Sequence, residues 1–434
     1  MKKFLSSTAI ILAAITLAGC SAASTEFGGA ASGEGGGTNI VSPSFKGTDI
    51  GGTGVHAGSG DGITEEVYDG FADIVTGGTA DAVTTDDYAP VEIITPDPTA
   101  PEPQAGMLTG GEWNDNAHWA DWDALYASHS DWRSYKSTWK SPIDNRISVK
   151  VTANGEPVEG ARVSCNSAIC SAVTDNKGMA YLFYTAINGK TDEITVEYNG
   201  HTAALDGVMG NADLECELAD VTAQKLSKLD FMIMCDTTGS MGDELEYLKA
   251  ELEDIVRKVS SRNANTEIRT SVNFYRDEGD EYVVRQFPFT SDIEQSLDAI
   301  GKQRSGGGGN FPEAVHTALD SAINNHDWDE NSVKIMFLVL DAPPHEDAQI
   351  ISEVNIHVRE AAEKGIRIVP IASSGVDKST EYLLRTMAFT TGGTYTFLTD
   401  DSGIGGSHIE PTVGAYNVEK LSDMMVRIVN SYLA

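Results

Sequence analysis

The sequence is poor in positive charge. Of its 434 residues, 30 are Lys or Arg and 65 are Asp or Glu, which gives a formal net charge of −35 at pH 7. A surface of this sign repels phosphate backbones and anionic lipid headgroups, so we expect no nucleic-acid partner. Screening confines the field to roughly 8 Å at physiological salt, and a local cation can therefore still attract an anionic group.

Cysteine is scarce as well. Apart from Cys20, the sequence contains Cys165, Cys170, Cys216 and Cys235. An oxidising compartment permits a disulfide among the first three of these four, and the sequence leaves their pairing open. Cys235 stands inside an apolar strand pattern and is predicted to be a buried free thiol.

The N-terminus lacks an apolar run of membrane-spanning length. Residues 4–17 are mostly apolar, follow Met-Lys-Lys and precede Leu17-Ala18-Gly19-Cys20, a pattern typical of an export signal. Its ending resembles the lipobox of bacterial lipoproteins, and a plain secretory peptide is the alternative. The resemblance implies a signal peptide over residues 1–19 and a lipid on the sulfur of Cys20. The protein would then be extracytoplasmic and lipid-anchored to a bacterial cell membrane or outer membrane.

Large apolar side chains are rare in residues 20–105, where Gly, Ser, Thr, Ala, Asp and Pro predominate. Such a segment cannot bury enough surface to offset the entropy of ordering, so we predict a disordered linker. By the square-root scaling of flexible chains, about 85 residues span roughly 50 Å. We interpret the segment as a tether between a lipid anchor and a folded head.

Tryptophan, in contrast, is concentrated in residues 106–140. This segment holds five of the six tryptophans of the chain: Trp113, Trp119, Trp122, Trp132 and Trp139. Aromatic residues recur there at spacings of three and four, which predicts two short amphipathic helices. We interpret their aromatic stripe as a packing face against the next domain, with a glycan-stacking platform as the alternative.

In residues 141–220 the apolar residues recur at every second position; Ile147, Val149 and Val151, for example, alternate with polar residues. Turns rich in Gly and Pro separate such strands, which predicts a small β-sandwich. The patterns Gly-Glu-Pro-Val-Glu-Gly-Ala and Thr-Asp-Asn-Lys-Gly-Met-Ala resemble the carboxypeptidase-regulatory-like and immunoglobulin-like modules of bacterial surface proteins. The resemblance implies a structural spacer without catalytic residues.

From residue 225 to 434, strand and helix patterns alternate. Residues 229–235 and 333–340 are near-continuous apolar runs, as expected for strands covered on both faces. The alternation predicts a doubly wound, Rossmann-like α/β domain with a parallel sheet, whose ligands bind at the carboxyl ends of the strands. It also predicts a strand over 282–289 and a helix over 311–325.

A polar motif, Asp-Thr-Thr-Gly-Ser-Met, stands where the first of these strands ends. Asp236, Thr238 and Ser240 are spaced so that one tight loop can turn three oxygens toward one point. Hard cations such as Mg²⁺ take oxygen ligands of this kind and usually retain some waters. Because two of the three oxygens are neutral hydroxyls, the charge of the cation stays undercompensated, and a carboxylate from a partner can complete its shell.

This motif resembles the metal-ion-dependent adhesion site of the von Willebrand factor A family, which begins with Asp-x-Ser-x-Ser or Asp-x-Thr-x-Ser. The resemblance implies that Asp236, Thr238 and Ser240 hold Mg²⁺ or Mn²⁺. Asp341, after the apolar run Phe-Leu-Val-Leu, fits the later aspartate of the family, which acts mainly through water. The sequence Ala-Pro-Pro-His after it departs from the common Thr-Asp-Gly and resembles a bacterial and protein-kinase-associated branch.

The middle loop of the family normally offers a threonine after two glycines, where this chain has Gly309. Asn310 can supply its side-chain carbonyl to the metal instead; the alternative is that Asn310 and Glu313 form a capping box before an apolar helix. Asp277 and His345 are weaker candidates near the same rim, as supporting or contact residues.

These features predict a cell-surface lipoprotein that is not an enzyme. Its ligand would be a protein partner that offers an Asp or Glu, as in adhesion or surface-complex assembly. One alternative is a scaffold with a degenerate metal site. The other is a metal-dependent phosphohydrolase, which is disfavoured because Thr238 replaces the second carboxylate such enzymes carry and because Gly-x-Ser-x-Gly and phosphate-loop motifs are absent around Ser240.

Overall fold

The computed structural model describes residues 102–434. The predicted signal peptide, the lipidation site at Cys20 and nearly all of the predicted linker therefore lie outside the described residues. Within residues 102–434, no helix combines the length and the apolar character that crossing a bilayer needs.

Residues 102–434 build one eight-stranded sheet and two four-stranded sheets. The strands, in chain order, are β1 (Thr109–Trp113), β2 (Asn145–Ala153), β3 (Glu156–Pro157), β4 (Arg162–Cys165), β5 (Ala172–Val173), β6 (Met179–Tyr184), β7 (Ile194–Tyr198), β8 (His201–Leu205), β9 (Ala212–Glu217), β10 (Lys228–Asp236), β11 (Glu267–Tyr275), β12 (Val284–Arg285), β13 (Val333–Leu340), β14 (Ile366–Ala372), β15 (Tyr395–Leu398) and β16 (Glu419–Lys420). The helices are α1 (Trp119–Ser128), α2 (Ser130–Thr138), α3 (Leu245–Arg262), α4 (Ile293–Gly301), α5 (Val315–Asn324), α6 (Ala348–Lys364), α7 (Lys378–Thr390) and α8 (Leu421–Leu433).

The large sheet has the order β12-β11-β10-β13-β14-β15-β1-β16, and its five strands from β11 to β15 are parallel. Every residue of β13 is buried, because helices cover both faces of the sheet. The α/β architecture predicted from the sequence is present. The sheet is mixed, however, and not purely parallel, since β12, β1 and β16 each pair antiparallel at its edges.

Strand β1 was not predicted, because its sequence Thr-Gly-Gly-Glu-Trp carries no strand pattern of its own. It is inserted antiparallel between β15 and β16, and close contact with β15 explains its glycines. A Cβ on Gly110 would lie 2.7 Å from the carbonyl oxygen of Phe397. Glu251 of α3, fully buried, fixes the approach to β1 by accepting hydrogen bonds from three consecutive backbone amides, at 2.7–3.1 Å, from residues 106–108.

The Trp-rich segment contains both predicted helices, α1 and α2, and its aromatic face is buried. Trp122 and Trp132 lie against Tyr382 of α7, with ring centroids 5.3 Å apart in both pairs. Arg385 of the same helix reaches both indole rings and pairs with the buried Asp115 through two hydrogen bonds of 2.6 and 3.0 Å. The tryptophans therefore serve as a packing face, but this face lies mainly against α7 of the α/β domain rather than against the next module, which Trp119 reaches through Phe183.

Residues 145–217 form the two small sheets, β9-β2-β6 with β3 paired to β2, and β5-β4-β7-β8. Alternate side chains of β2, among them Val149 and Val151, enter one apolar core shared by both sheets. We call this part the β module. Cys165, Cys170 and Cys216 within it are free thiols, as is the buried Cys235 in β10.

Three elements of the α/β domain differ from the prediction. The strand predicted over 282–289 is reduced to the two residues of β12, and α4 was not predicted. The helix predicted to start at residue 311 begins only at Val315, because residues 311–314 instead run beside the segment after β13, where Glu313 bridges to Pro344.

His408 ties the segment after β15 to the start of α3. Its Nε2 lies 2.9 Å from Glu244 Oε1 and its Nδ1 lies 2.8 Å from Asp400 Oδ1. Burial opposes the charge of the ring, but the hydrogen bonds and charges of the two carboxylates outweigh it and raise the pKa of His408 above 6.5. With a carboxylate at each nitrogen, the protonated ring satisfies both partners.

We predict that His408→Gln destabilises the protein in a pH-dependent way. Because the folded pKa is raised, the contribution of His408 is fully present below pH 6.5 and is lost as the pH rises through the folded pKa. The difference in unfolding free energy between wild type and variant should be largest at pH 5.5 and should shrink at alkaline pH. Urea denaturation across pH 5.5–9 with chelator measures it. His201→Gln, at an exposed position, is the control and should change nothing; a constant difference at all pH values would contradict the prediction.

Candidate metal centre

The loop after β10 brings three polar side chains together. Asp236 is the last residue of β10, and its Oδ1 accepts hydrogen bonds from the backbone amide of Thr238 at 2.8 Å and from the Thr238 hydroxyl at 2.7 Å. The hydroxyls of Thr238 and Ser240 lie 3.1 Å apart. Asp236 and Thr238 are fully buried and Ser240 is exposed, so the cluster opens to solvent at Ser240.

The neighbouring strand adds Asp341. Because β10 and β13 are parallel, with Cys235 opposite Val339, the residues that follow the two strands meet at the same edge of the sheet. Asp341 is 3% exposed and accepts a hydrogen bond from Ser240. The four residues Asp236, Thr238, Ser240 and Asp341, named from the sequence, therefore form one cluster.

Among the described residues, no Lys, Arg or His forms an ion pair with either carboxyl group of this cluster. Burial and the charge of Asp341 raise the pKa of Asp236 to about 7, and burial raises the pKa of Asp341 to about 6. Oδ2 of Asp236 and Oδ1 of Asp341 are buried and have no hydrogen-bond partner among residues 102–434. Two buried acidic oxygens without donors are a costly arrangement, and a bound cation would relieve it.

Glu313 is a third acidic group at this place that the sequence reasoning missed. It is 2% exposed, and its Oε2 has no hydrogen-bond partner among the described residues. Burial, followed by the charges of Asp236 and Asp277, raises the pKa of Glu313 to about 9. The capping-box interpretation was wrong, because α5 begins at Val315 after Ala314 and has no side-chain cap. The signal available in the sequence was an acidic residue between Pro312 and an apolar helix.

The glycine loop, residues 305–310, folds over a carboxylate. Gly308 donates its backbone amide to Asp280 Oδ2 at 2.8 Å, and both Gly307 and Gly308 have positive φ angles. A Cβ on Gly307 would lie 2.3 Å from Asp280, so this position requires glycine. Gly309 differs, since a Cβ there would meet no atom within 4 Å. Asn310 is exposed beside it.

Asp277 and His345 pair with each other at the rim. Nε2 of His345 lies 2.8 Å from Asp277 Oδ1, and the Asp277 side chain is 9% exposed against 23% for His345. Each therefore orients the other. The charge of Asp277 reaches Glu313, which places the pair next to the cluster rather than in it.

The donor set suits a cation that prefers oxygen. Among residues 102–434, no group of three or more His, Cys, Asp or Glu side chains is arranged to hold a metal ion. The cluster at the ends of β10 and β13 is of another kind, because two of its four candidate metal ligands are hydroxyl groups. Carboxylate and hydroxyl oxygens with two unpartnered acidic atoms fit Mg²⁺ or Mn²⁺, whereas zinc favours nitrogen and sulfur ligands.

Two curated proteins share sequence similarity with part of this chain. A putative ariadne-like RING finger protein of Acanthamoeba polyphaga mimivirus is 32% identical over 117 residues, which are 27% of this chain and 11% of the relative. The α-protein kinase vwkA of Dictyostelium discoideum is 25% identical over 118 residues, 27% of this chain and 19% of the relative. The chain thus spans less than a fifth of either relative.

Solved structures with similarity include two bacterial proteins. The conserved hypothetical protein BatB of Bacteroides thetaiotaomicron is 13% identical, with a TM-score of 0.33, over 47% of this chain and 98% of that one. An aerotolerance-related membrane protein of Bacteroides fragilis is 14% identical, with a TM-score of 0.31 and the same two coverages. The sequence model that matches residues 229–410 is that of the von Willebrand factor A domain. It spans the strands from β10 to β15 and every residue of the cluster, and these residues of the chain form a von Willebrand factor A domain.

Proposed function

We propose that the von Willebrand factor A domain binds Mg²⁺ or Mn²⁺ and, through it, an acidic side chain of a protein partner. The observation that carries the proposal is the convergence of two unpartnered buried carboxylate oxygens with two hydroxyls at one edge of the sheet. Domains of this family typically take part in protein interaction or adhesion and are commonly non-enzymatic. A binding role, rather than turnover, is therefore our proposal for this chain.

The chemistry follows from the donors. Asp236 supplies a formal charge, Thr238 and Ser240 supply neutral oxygens, and Asp341 acts mainly through water. Before a cation binds, burial and the charges of Asp236 and Asp277 raise the pKa of Glu313 to about 9. A divalent cation held in this way retains affinity for one further anionic oxygen, and a carboxylate of a partner reaches it from the solvent side at Ser240.

Anchorage and surface location remain proposals. Cys20 would carry the lipid, residues 20–105 would act as the tether, and the β module would act as a carboxypeptidase-regulatory-like spacer. Asn310 is proposed as a carbonyl ligand in place of the threonine of the family. Asp277 and His345 would line the approach of the partner.

Binding of Mg²⁺ can be tested through the thermal stability of the chain. Mg²⁺ should stabilise the wild-type chain against heat, by about 2.7 kcal/mol at a concentration 100 times its dissociation constant, because the folded state alone assembles the ligands. Differential scanning fluorimetry and calorimetric titration at pH 8 measure this effect. Asp236→Asn should abolish it, and the matched control Asp298→Asn, at an exposed pair with Lys302, should retain it.

The partner is tested with the same variants. Surface extracts passed over immobilised wild-type chain should yield a protein that is retained with Mg²⁺, released by chelator and absent from the Asp236→Asn column. Equal stabilisation of all three proteins by Mg²⁺, or retention indifferent to chelator, would refute metal-dependent recognition. Hydrolysis of a phosphate ester that depends on Asp236 would support the phosphohydrolase instead.

The second prediction uses the open position at Gly309. The family places a threonine there, and this backbone leaves room for a side chain, so Gly309→Thr should fold normally. The added hydroxyl should lower the dissociation constant for Mg²⁺ about several-fold, which is the size of effect expected for one hydrogen bond. Gly309→Val has the same shape without the hydroxyl and should not gain affinity. Calorimetric titration compares the three proteins; equal affinity of the Thr and Val variants would show that the loop does not face the metal.

A further inference from the structure

A cleft lies at the end of the large sheet opposite the candidate metal centre. It is lined by the first residues of β10 and β13, whereas the metal centre lies beyond their last residues. The other wall comes from the β module, from residues 159–176 and 198–199. Its volume of about 740 Å³ lies within the range of small-molecule sites, and such sites favour boundaries between domains.

The charge of this cleft differs from that of the chain. Six of its lining side chains are Lys or Arg and five are Asp or Glu, against 30 and 65 in the whole sequence. The outermost acids are turned to water: Asp327, for example, has a fully exposed side chain. The cleft therefore carries a small excess of positive side chains in a strongly acidic protein.

Two of these cations are buried without a carboxylate partner. Lys334, 8% exposed, donates to the backbone carbonyls of Glu330 and Ser332 at 3.3 and 3.2 Å. Arg367, 6% exposed, donates to the backbone carbonyls of Thr391 and Val173 at 2.9 and 2.6 Å. Neither forms an ion pair with a carboxylate of residues 102–434. Burial lowers the pKa of Lys334, and the charge of Arg367 on the adjacent strand lowers it further, whereas the charge of Asp230 raises it.

The rim adds cations that also bond to neutral groups. Arg162 of β4 donates to the backbone carbonyl of Glu363 at 3.1 Å and to the Ser171 hydroxyl at 2.7 Å. Lys364 at the end of α6 donates to the carbonyl of Ile323 at 2.9 Å. Glu159 is the buried acid of the lining; burial and the charge of Asp175 raise its pKa, while the amide of Leu226 and the charges of Arg367 and Lys225 oppose this rise.

We propose that this cleft binds a small organic anion that carries carboxylate or phosphate groups and bridges the β module and the α/β domain. Lys334 and Arg367 supply the buried positive charge, and Arg162 closes over the ligand from the β module. Guanidinium and ammonium groups that lack carboxylates form their strongest hydrogen bonds with such anions.

The test uses the full chain in chelator-treated buffer with two probes, citrate for carboxylates and inorganic phosphate for phosphate groups. Calorimetric titration should show saturable binding of at least one probe. Lys334→Met and, separately, Arg162→Gln should weaken it about tenfold each, as expected for the loss of one charge-assisted hydrogen bond. Circular dichroism shows whether each variant is folded. Because Arg162 is exposed, Arg162→Gln still tests the proposal if Lys334→Met does not fold.

Two controls separate this cleft from other anion effects. Lys302→Gln removes a cation that is 70% exposed, paired with Asp298 and absent from the cleft lining, and should leave binding unchanged. Asp236→Asn, which disables the metal centre, should also leave it unchanged, so the two proposals stand or fall separately. Absence of saturable binding by either probe, or equal loss in Lys302→Gln, would overturn the inference.

Discussion

The α/β domain depends on the pairing of β1 with β15. Four residue pairs join these antiparallel strands, and β16 then pairs with the other edge of β1. The amides before β1 are held by the buried carboxylate of Glu251, which ties the strand to α3 on one face of the sheet. On the other face, the segment after β1 is fixed to α7 by the pair of Asp115 with Arg385. The sheet is therefore completed by chain that precedes the β module.

This topology changes how the domain is delimited. The family match begins at residue 229, at the start of β10, yet the sheet also contains β1 from 120 residues or so earlier in the chain, together with β16 after the match ends. The β module is thus an insertion between two strands of one sheet. The buried tryptophans of α1 and α2 fill the space between the module and α7.

The sequence was sufficient for the parts whose cause is local. The central strands β10 and β13 are continuous apolar runs covered on both faces, and the loop proposed to bind metal follows β10, which places it at the carboxyl end of the sheet. Strand β1 could not be predicted, because its two glycines are chosen by the closeness of Phe397, nearly 290 residues away. The role of Glu313 could not be predicted either, because its position depends on a contact that is distant in sequence. Its backbone bridges to Pro344, and Glu313 does not belong to a helix cap.

The insertion of the β module has a mechanical consequence. A module attached to its neighbour by one connection can swivel freely, but this one leaves the α/β domain after α2 and re-enters it at β10, so it has two attachment points. Two attachments restrict the module more than one does, because it cannot rotate about a single connecting segment. The hydrogen bond from Arg367 of β14 to the carbonyl of Val173 in β5 adds a further restraint between the module and the large sheet.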